Sequence, residues 1–302
     1  MPEGFLISTA ENRSRMASYY ALNECRESGI ILEAPCIICD SRHDLIVDLG
    51  CMRGIIPREE GAIGISEGTT KDIALISRVN KPICFIVRDF RRGENGEIYA
   101  VLSRRAAQER CREQYLSKLV PGDIIPARVT HLEPFGCFVD IGCGIPSLIP
   151  IDMISVSRIS HPSDRFHVGQ DIYAAVRSLE NSRICLTHKE LLGTWEENAS
   201  MFSVGETVTG TVRSIEDYGI FVELAPNLAG LAEVRAGTEV NSCASVYIKA
   251  IIPEKMKIKL IIVSSSEKGY CNNELKYFKT SGHIDRWIYS SGSSGKLIQT
   301  IF

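Results

Sequence analysis

The chain has no basic excess: 34 Lys+Arg stand against 37 Asp+Glu, a formal net charge of −3 over 302 residues. Overall charge does not advertise phosphate binding, so any case for a nucleic acid rests on local placement. No run approaches the ~18 uninterrupted apolar residues of a membrane span. Glu3, Glu11, Arg13 and Arg15 interrupt any secretion-signal pattern in the first twenty residues. The eleven cysteines form no dense framework, and an odd number cannot all pair within one chain. The expected setting is the reducing cytoplasm, away from membranes. Phosphate-cradling glycine loops, nucleophile elbows and metal-ligand histidine spacings are missing too. Cys36-Ile-Ile-Cys39 stands alone in a segment that reads as a strand, with no second ligand pair. The expectation is no enzyme activity, no cofactor and no metal.

With 44% hydrophobic and 24% charged residues the chain is composed to fold. Its main organising feature is repetition. Residues 120–142 and 204–224 share one pattern: Gly, alternating apolar residues, then aromatic-Gly-x-Phe-Val-acidic-aliphatic. Phe135 and Tyr218 correspond. A fainter copy over 31–57 keeps Leu45-Ile46-Val47-Asp48-Leu49-Gly50 and then Gly54-Ile55-Ile56-Pro57, matching Ser147-Leu148-Ile149-Pro150. Ile125, Ala127 and Val129 alternate with Arg128 and Thr130, the period of two of a half-buried strand. Val139 and Ile141 fall on one face of the next strand, Phe138 and Asp140 on the other. About five short strands per copy suggest a small closed barrel. Between copies, 103–119 reads as a helix capped by Ser103, with a local charge of +3. A second helix is expected over 187–202, with Thr187 as its cap and Leu191, Leu192 and Trp195 as a packing stripe.

Phe135-Gly136-Cys137-Phe138 carries two rings three apart, which diverge on a regular strand. The glycine permits a kink that brings both to one side. Tyr218-Gly219-Ile220-Phe221 repeats the arrangement. An outward ring pair is a platform for stacking bases, although such rings also pack against neighbouring barrels. Arg128 and Arg213, on first strands at outward phase, and Arg183 and Lys257, opening final strands, are candidates for phosphate contacts.

These strands, the Gly-Leu stretch after them and the final basic-Ile-x-Leu strand resemble the S1 RNA-binding motif. That OB-fold module occurs in tandem in bacterial ribosomal protein S1. The likeness spans 118–190 and 202–235 and is traceable over 25–105, nearest to the short homologues of Gram-positive anaerobes. It implies binding of single-stranded RNA, messenger RNA included, and the small ribosomal subunit as a partner. It also implies an acidic–basic pair at the last turn, matched by Glu180/Arg183 and Glu254/Lys257 with Glu in place of Asp. The family's usual His after Gly-Leu-Val is Pro150 in the second copy and Glu233 in the third. In the first copy His43 and Ile46 occupy the ring positions, so residues 25–105 are expected to be a poor stacking surface and a protein-docking or purely structural barrel; the resemblance, whose family uses early repeats to dock on the ribosome, permits the small subunit as its partner.

The expected class is mainly β: three tandem five-stranded OB barrels of S1 type, the first degenerate, joined by helical linkers. The boundaries are a leader 1–24, barrels 25–105, 120–190 and 203–264, linkers 106–119 and 191–202, and an extension 265–302. That extension is aromatic (Tyr270, Tyr277, Phe278, Trp287, Tyr289), and a β-hairpin around Ser281-Gly282 is expected to cap the third barrel. Two other functions fit the same residues: an accessory to RNA decay or transcription, and a protein scaffold with its rings buried between barrels.

Overall fold

The computed structural model describes residues 1–180, 183–266 and 275–302; Tyr270 lies outside them. The chain is mainly β, with three closed five-stranded barrels. The first has β1 (Leu32–Cys39), β2 (Leu45–Asp48), β3 (Arg53–Ile56), β4 (Pro82–Arg92) and β5 (Ile98–Ser103). The second has β6 (Ile124–Glu133), β7 (Gly136–Asp140), β8 (Pro146–Pro150), β9 (Asp171–Glu180) and β10 (Arg183–Thr187). The third has β11 (Thr207–Glu216), β12 (Gly219–Ala225), β13 (Leu228–Ala232), β14 (Cys243–Ile252) and β15 (Lys257–Ser266). All three close in one cyclic order, first-second-third-fifth-fourth. The third and fifth strands run parallel, as Gly54↔Ala100, Leu148↔Cys185 and Leu231↔Lys259 show. This is the five-stranded OB architecture, which leaves no open sheet edge.

Alternation fills the interiors. Leu45, Val47, Ile83, Phe85, Val87 and Leu102 pack inside the first barrel; Val212, Ile220, Val222, Val246, Ile248 and Leu260 inside the third. Ile125, Val129, Cys137, Val139, Ile149, Ile172 and Leu186 are buried in the second. Asp140 departs from its outward phase: it is 3% exposed and accepts the amides of Glu3, Gly142 and Gly144. Burial, with Glu3 nearby, raises its carboxyl to about 6.

By contact the chain forms two compact units. The first holds 1–119 with 126–128 and 140–146; the second holds 120–125, 129–139 and 147–302. In the first unit, the residues read as a leader fold as α1 (Ala10–Arg15) and enter α2 (Tyr19–Ser28), and Met16, Leu22 and Cys25 join the barrel core. After the short α3 (Ile73–Ile76), α4 (Arg104–Gln114) starts on Ser103, whose hydroxyl accepts from the Ala106 amide at 2.8 Å.

The second linker corrects its expectation. Thr187 ends β10, and the helix α5 (Trp195–Ala199) begins later, on a Thr194/Glu197 capping box. Leu191, Leu192 and Trp195 are buried as expected. The terminal hairpin is also displaced. Its strands β16 (Arg286–Ile288) and β17 (Gln299–Ile301) pair beyond Ser281-Gly282, and His283 instead bridges to Asp123. The reason is packing: Ile284, Trp287 and Tyr289 enter the core of the third barrel, which fixes the segment before β16. No helix among the described residues is long and apolar enough to cross a membrane.

Candidate nucleic-acid interface

Both ring pairs form. Phe135 and Tyr218 stand in the turns just before β7 and β12, so their rings escape strand alternation and swing toward Phe138 and Phe221. The centroids lie 6.0 Å apart at 89° in the second barrel and 6.2 Å apart at 88° in the third, both edge to face. Phe135 is 57% and Tyr218 70% exposed, while Phe138 and Phe221 are half-buried. The intervening glycines are forced by close approach. A Cβ on Gly136 would lie 2.5 Å from the Ile149 carbonyl, and one on Gly219 2.6 Å from that of Ala232.

In the third barrel the register extends this face. Phe221 pairs with Leu231, and Leu231 with Lys259, across β12, β13 and β15. Exposed Lys257 and Lys259 alternate with buried Ile258 and Leu260, so both ammonium groups point outward. Lys259 was missed by motif matching, yet the Lys-Ile-Lys-Leu alternation already placed it beside Lys257. At the corresponding position the second barrel has Cys185, paired with Leu148.

The turn residues are accessible. Glu180, ending β9, and Arg183, opening β10, are paired in register, and both are exposed. Glu254 and Lys257 are exposed at the β14–β15 turn. The first-strand arginines are not available in the way their phase suggests. Arg128 donates to the Glu3 carbonyl at 2.9 Å, with its guanidinium 4.9 Å from the centre of the Phe5 ring. Arg213 falls at a register shift in β11 and turns into a carboxylate pair. Its Nε donates to Glu223 Oε2 at 2.9 Å and its Nη2 to Oε1 at 3.2 Å, with Asp164 at 3.5 Å. Its side chain is only 8% exposed. A bulge is invisible to a strict period of two, which is why the sequence places this arginine in solvent.

At the matching positions of the first barrel, His43 has a left-handed backbone (φ 64°) and sits 4.0 Å from Asp72. Ile46 is 7% exposed. No ring pair forms there. Cys36 and Cys39 are free; burial pushes the Cys36 thiol up to about 11. Among the described residues no cluster of His, Cys, Asp and Glu is arranged to hold a metal ion.

Residues 118–189 match the S1 RNA binding domain family. The chain is similar to the small ribosomal subunit protein bS1 of Staphylococcus aureus, 30% identical over 299 residues, covering 88% of this chain and 73% of that one. It is 32% identical over 236 residues to bS1 of Leuconostoc lactis, covering 75% and 52% of the two chains. A bS1 homolog of Bacillus subtilis is 32% identical over 197 residues, covering 63% and 49%. The chain thus spans about half the length of the last two relatives.

Proposed function

Because the chain belongs to the bS1 family of small ribosomal subunit proteins, we propose that it binds single-stranded RNA, messenger RNA in particular, through the second and third barrels. The observation that carries this reading is the recurrence of one exposed edge-to-face ring pair at equivalent positions of two barrels. Unstacked bases lie against such rings, each stack worth about 1–3 kcal/mol with little sequence preference. Arg183, Lys257 and Lys259 supply phosphate contacts, and Glu180 and Glu254 accept from ribose hydroxyls or base amines at the same turns. The first barrel carries His43 and Ile46 at the positions of the ring pairs and docks on protein, with the small subunit in the cytoplasm as its partner. Few phosphates are neutralised, so the salt dependence is shallow.

Exposure of Phe135 and Tyr218 weighs against a scaffold in which these rings are buried between barrels. Between translation and RNA decay or transcription, the kinship with ribosomal proteins favours translation. The test is co-sedimentation with small ribosomal subunits before and after ribonuclease treatment. Ribonuclease-resistant association supports subunit docking, whereas its complete loss points to RNA tethering alone.

A further inference from the structure

The third barrel's ring face does not end where its own strands end. On β12 the outward residues after Phe221 are Glu223 and Ala225, and alternation predicts an exposed carboxylate at Glu223. Glu223 is instead 6% exposed, because a segment of the second barrel lies across it. The Val156 amide donates to Asn227 Oδ1 at 2.9 Å and the Ser157 amide to the Pro226 carbonyl at 3.0 Å. Arg165, its side chain 2% exposed, donates to Glu223, and Asp164 faces Arg213 at 3.5 Å. All these residues lie in one compact unit. The connection between β8 and β9 is therefore pinned at both ends against β11, β12 and the β12–β13 turn.

Between the pins lies 158–163, in which Arg158, Ser160 and Ser163 are exposed. Arg165 and Arg213 are offset by Glu223 and Asp164. Arg158 is exposed and has no hydrogen-bond or ion-pair partner among the described residues. His161 caps the turn Pro162–Asp164 through Nδ1, which accepts from the Ser163 amide at 3.1 Å, so its Nε2 is left for another partner.

We propose that this segment of the second barrel is the far bank of the third barrel's single-stranded RNA surface. Arg158 takes a backbone phosphate and His161 Nε2 hydrogen-bonds the nucleotide beyond the Tyr218/Phe221 stack. Arg165 and Asn227 are positioning residues that hold the bank in place. The proposal rests on the RNA-binding reading above and adds that the third site is built from two barrels.

The test uses the full chain and a fluorescently labelled oligouridine of about eight nucleotides, within the span one OB barrel covers. In a Phe138→Ala background, binding runs through the third barrel. There Arg158→Ala with His161→Ala is expected to weaken affinity about fivefold and lower the salt slope by about 0.7, the one phosphate contact of Arg158. In a Phe221→Ala background the same pair is expected to change nothing. Arg165→Met is expected to reproduce this pattern, and tryptophan fluorescence separates misfolding from a lost bank. Equal loss in both backgrounds, or none in either, overturns the proposal. If Phe138→Ala and Phe221→Ala each leave oligouridine binding at the wild-type value, the ring-stacking reading itself has failed.

Discussion

The first and third barrels close in the same strand order, pair their third and fifth strands in parallel and fill their interiors by the same alternation. They differ on one outward face. The third presents Tyr218 and Phe221 with Lys257 and Lys259 near them. The first has a left-handed His43, a buried Ile46 and Asp44 where the third has Gly219. The inward period of two therefore builds the barrel, while a few outward residues decide whether it can hold a base. Fold and site are separable within one chain, and each barrel can be altered on its face without touching its core.

The largest expected effect comes from erasing that difference. Phe138→Ala with Phe221→Ala converts the second and third faces to the state of the first. Each lost stack costs about 1–3 kcal/mol, so the double variant is expected to lose at least about thirtyfold in affinity for single-stranded RNA. Far-ultraviolet circular dichroism should be unchanged, because both rings point away from the barrel interior. Anisotropy titration measures the loss; wild-type affinity in the double variant would refute base stacking. Replacing Ile46 with Val in the first barrel should leave RNA affinity where it was.

A second difference lies where the fifth strand ends. The first barrel follows Ser103 with Arg104, buried and paired to Glu3 at 2.7 Å. The second follows Thr187 with His188, also buried, its ring nitrogens 2.8 Å from the Ile154 carbonyl and 2.9 Å from the Tyr277 hydroxyl. Burial, with Arg165 nearby, lowers the imidazole to about 4. The unfolded chain takes that proton near pH 6.5. Stability present at pH 7 is thus lost as pH falls from about 6.5 to about 4, by up to about 3 kcal/mol. Burial alone would raise the Glu3 carboxyl, but Arg104 and Arg78 outweigh it and hold it below its usual value. Its contribution persists to lower pH. Both tryptophans, Trp195 and Trp287, lie in the core of the unit that holds His188. Their fluorescence should report a lower urea midpoint at pH 5 than at pH 7. His188→Gln should flatten the change, and an unchanged midpoint in the wild-type chain would remove His188 as its source.

A third contrast concerns the residue between the ring positions. Gly219→Ala forces a Cβ to within 2.6 Å of the Ala232 carbonyl, and Gly136→Ala to within 2.5 Å of that of Ile149. Overpacking of this kind costs about 1–3 kcal/mol. The first barrel carries Asp44 there, whose carboxylate accepts from the Arg58 amide at 2.9 Å. Asp44→Ala should therefore cost a hydrogen bond, about 1 kcal/mol, without strain. Urea denaturation of the three variants ranks them; equal cost for all three would mean the close approach is not the constraint.

The barrels were legible in sequence because their signals are local and periodic. Val129, Val139 and Val222 keep strict alternation, and Gly136 and Gly219 mark the strand entries. What was lost depended on departures from period or on distant contacts. The shift at Arg213 hides its turn toward Glu223. Asp140 is buried by the amide of Glu3, 137 positions away. Thr187 resembled a cap because its sequence neighbours are good helix formers, but its backbone belongs to β10. The ring pairs could be read as motifs, whereas the covering of Glu223 by Arg165 could not, since nothing in either local pattern refers to the other.

The smallest expected effect separates the second face from the third. The third carries two outward lysines on its last strand, and the second carries Arg183 followed by Cys185. Single strands release about 0.7 counterion per phosphate neutralised, so each lost contact flattens the log–log salt slope by that amount. Lys257→Ala with Lys259→Ala should thus lower the slope by about 1.4, and Arg183→Ala by about 0.7, with affinity changes near 1 kcal/mol or less at moderate salt. Replacing Cys185 with Lys should move the second face toward the third, steepening the slope by about 0.7. Cys185 lies next to Leu148 in register, as Lys259 lies next to Leu231, so the new ammonium would occupy the same place in the row. Anisotropy titrations over a range of salt concentrations measure all three slopes. A gain on Cys185→Lys matching half the loss on Lys257→Ala with Lys259→Ala would show that the row from the ring through the β-strand partner to the last strand is one phosphate track in both barrels; a gain of zero would confine the track to the third.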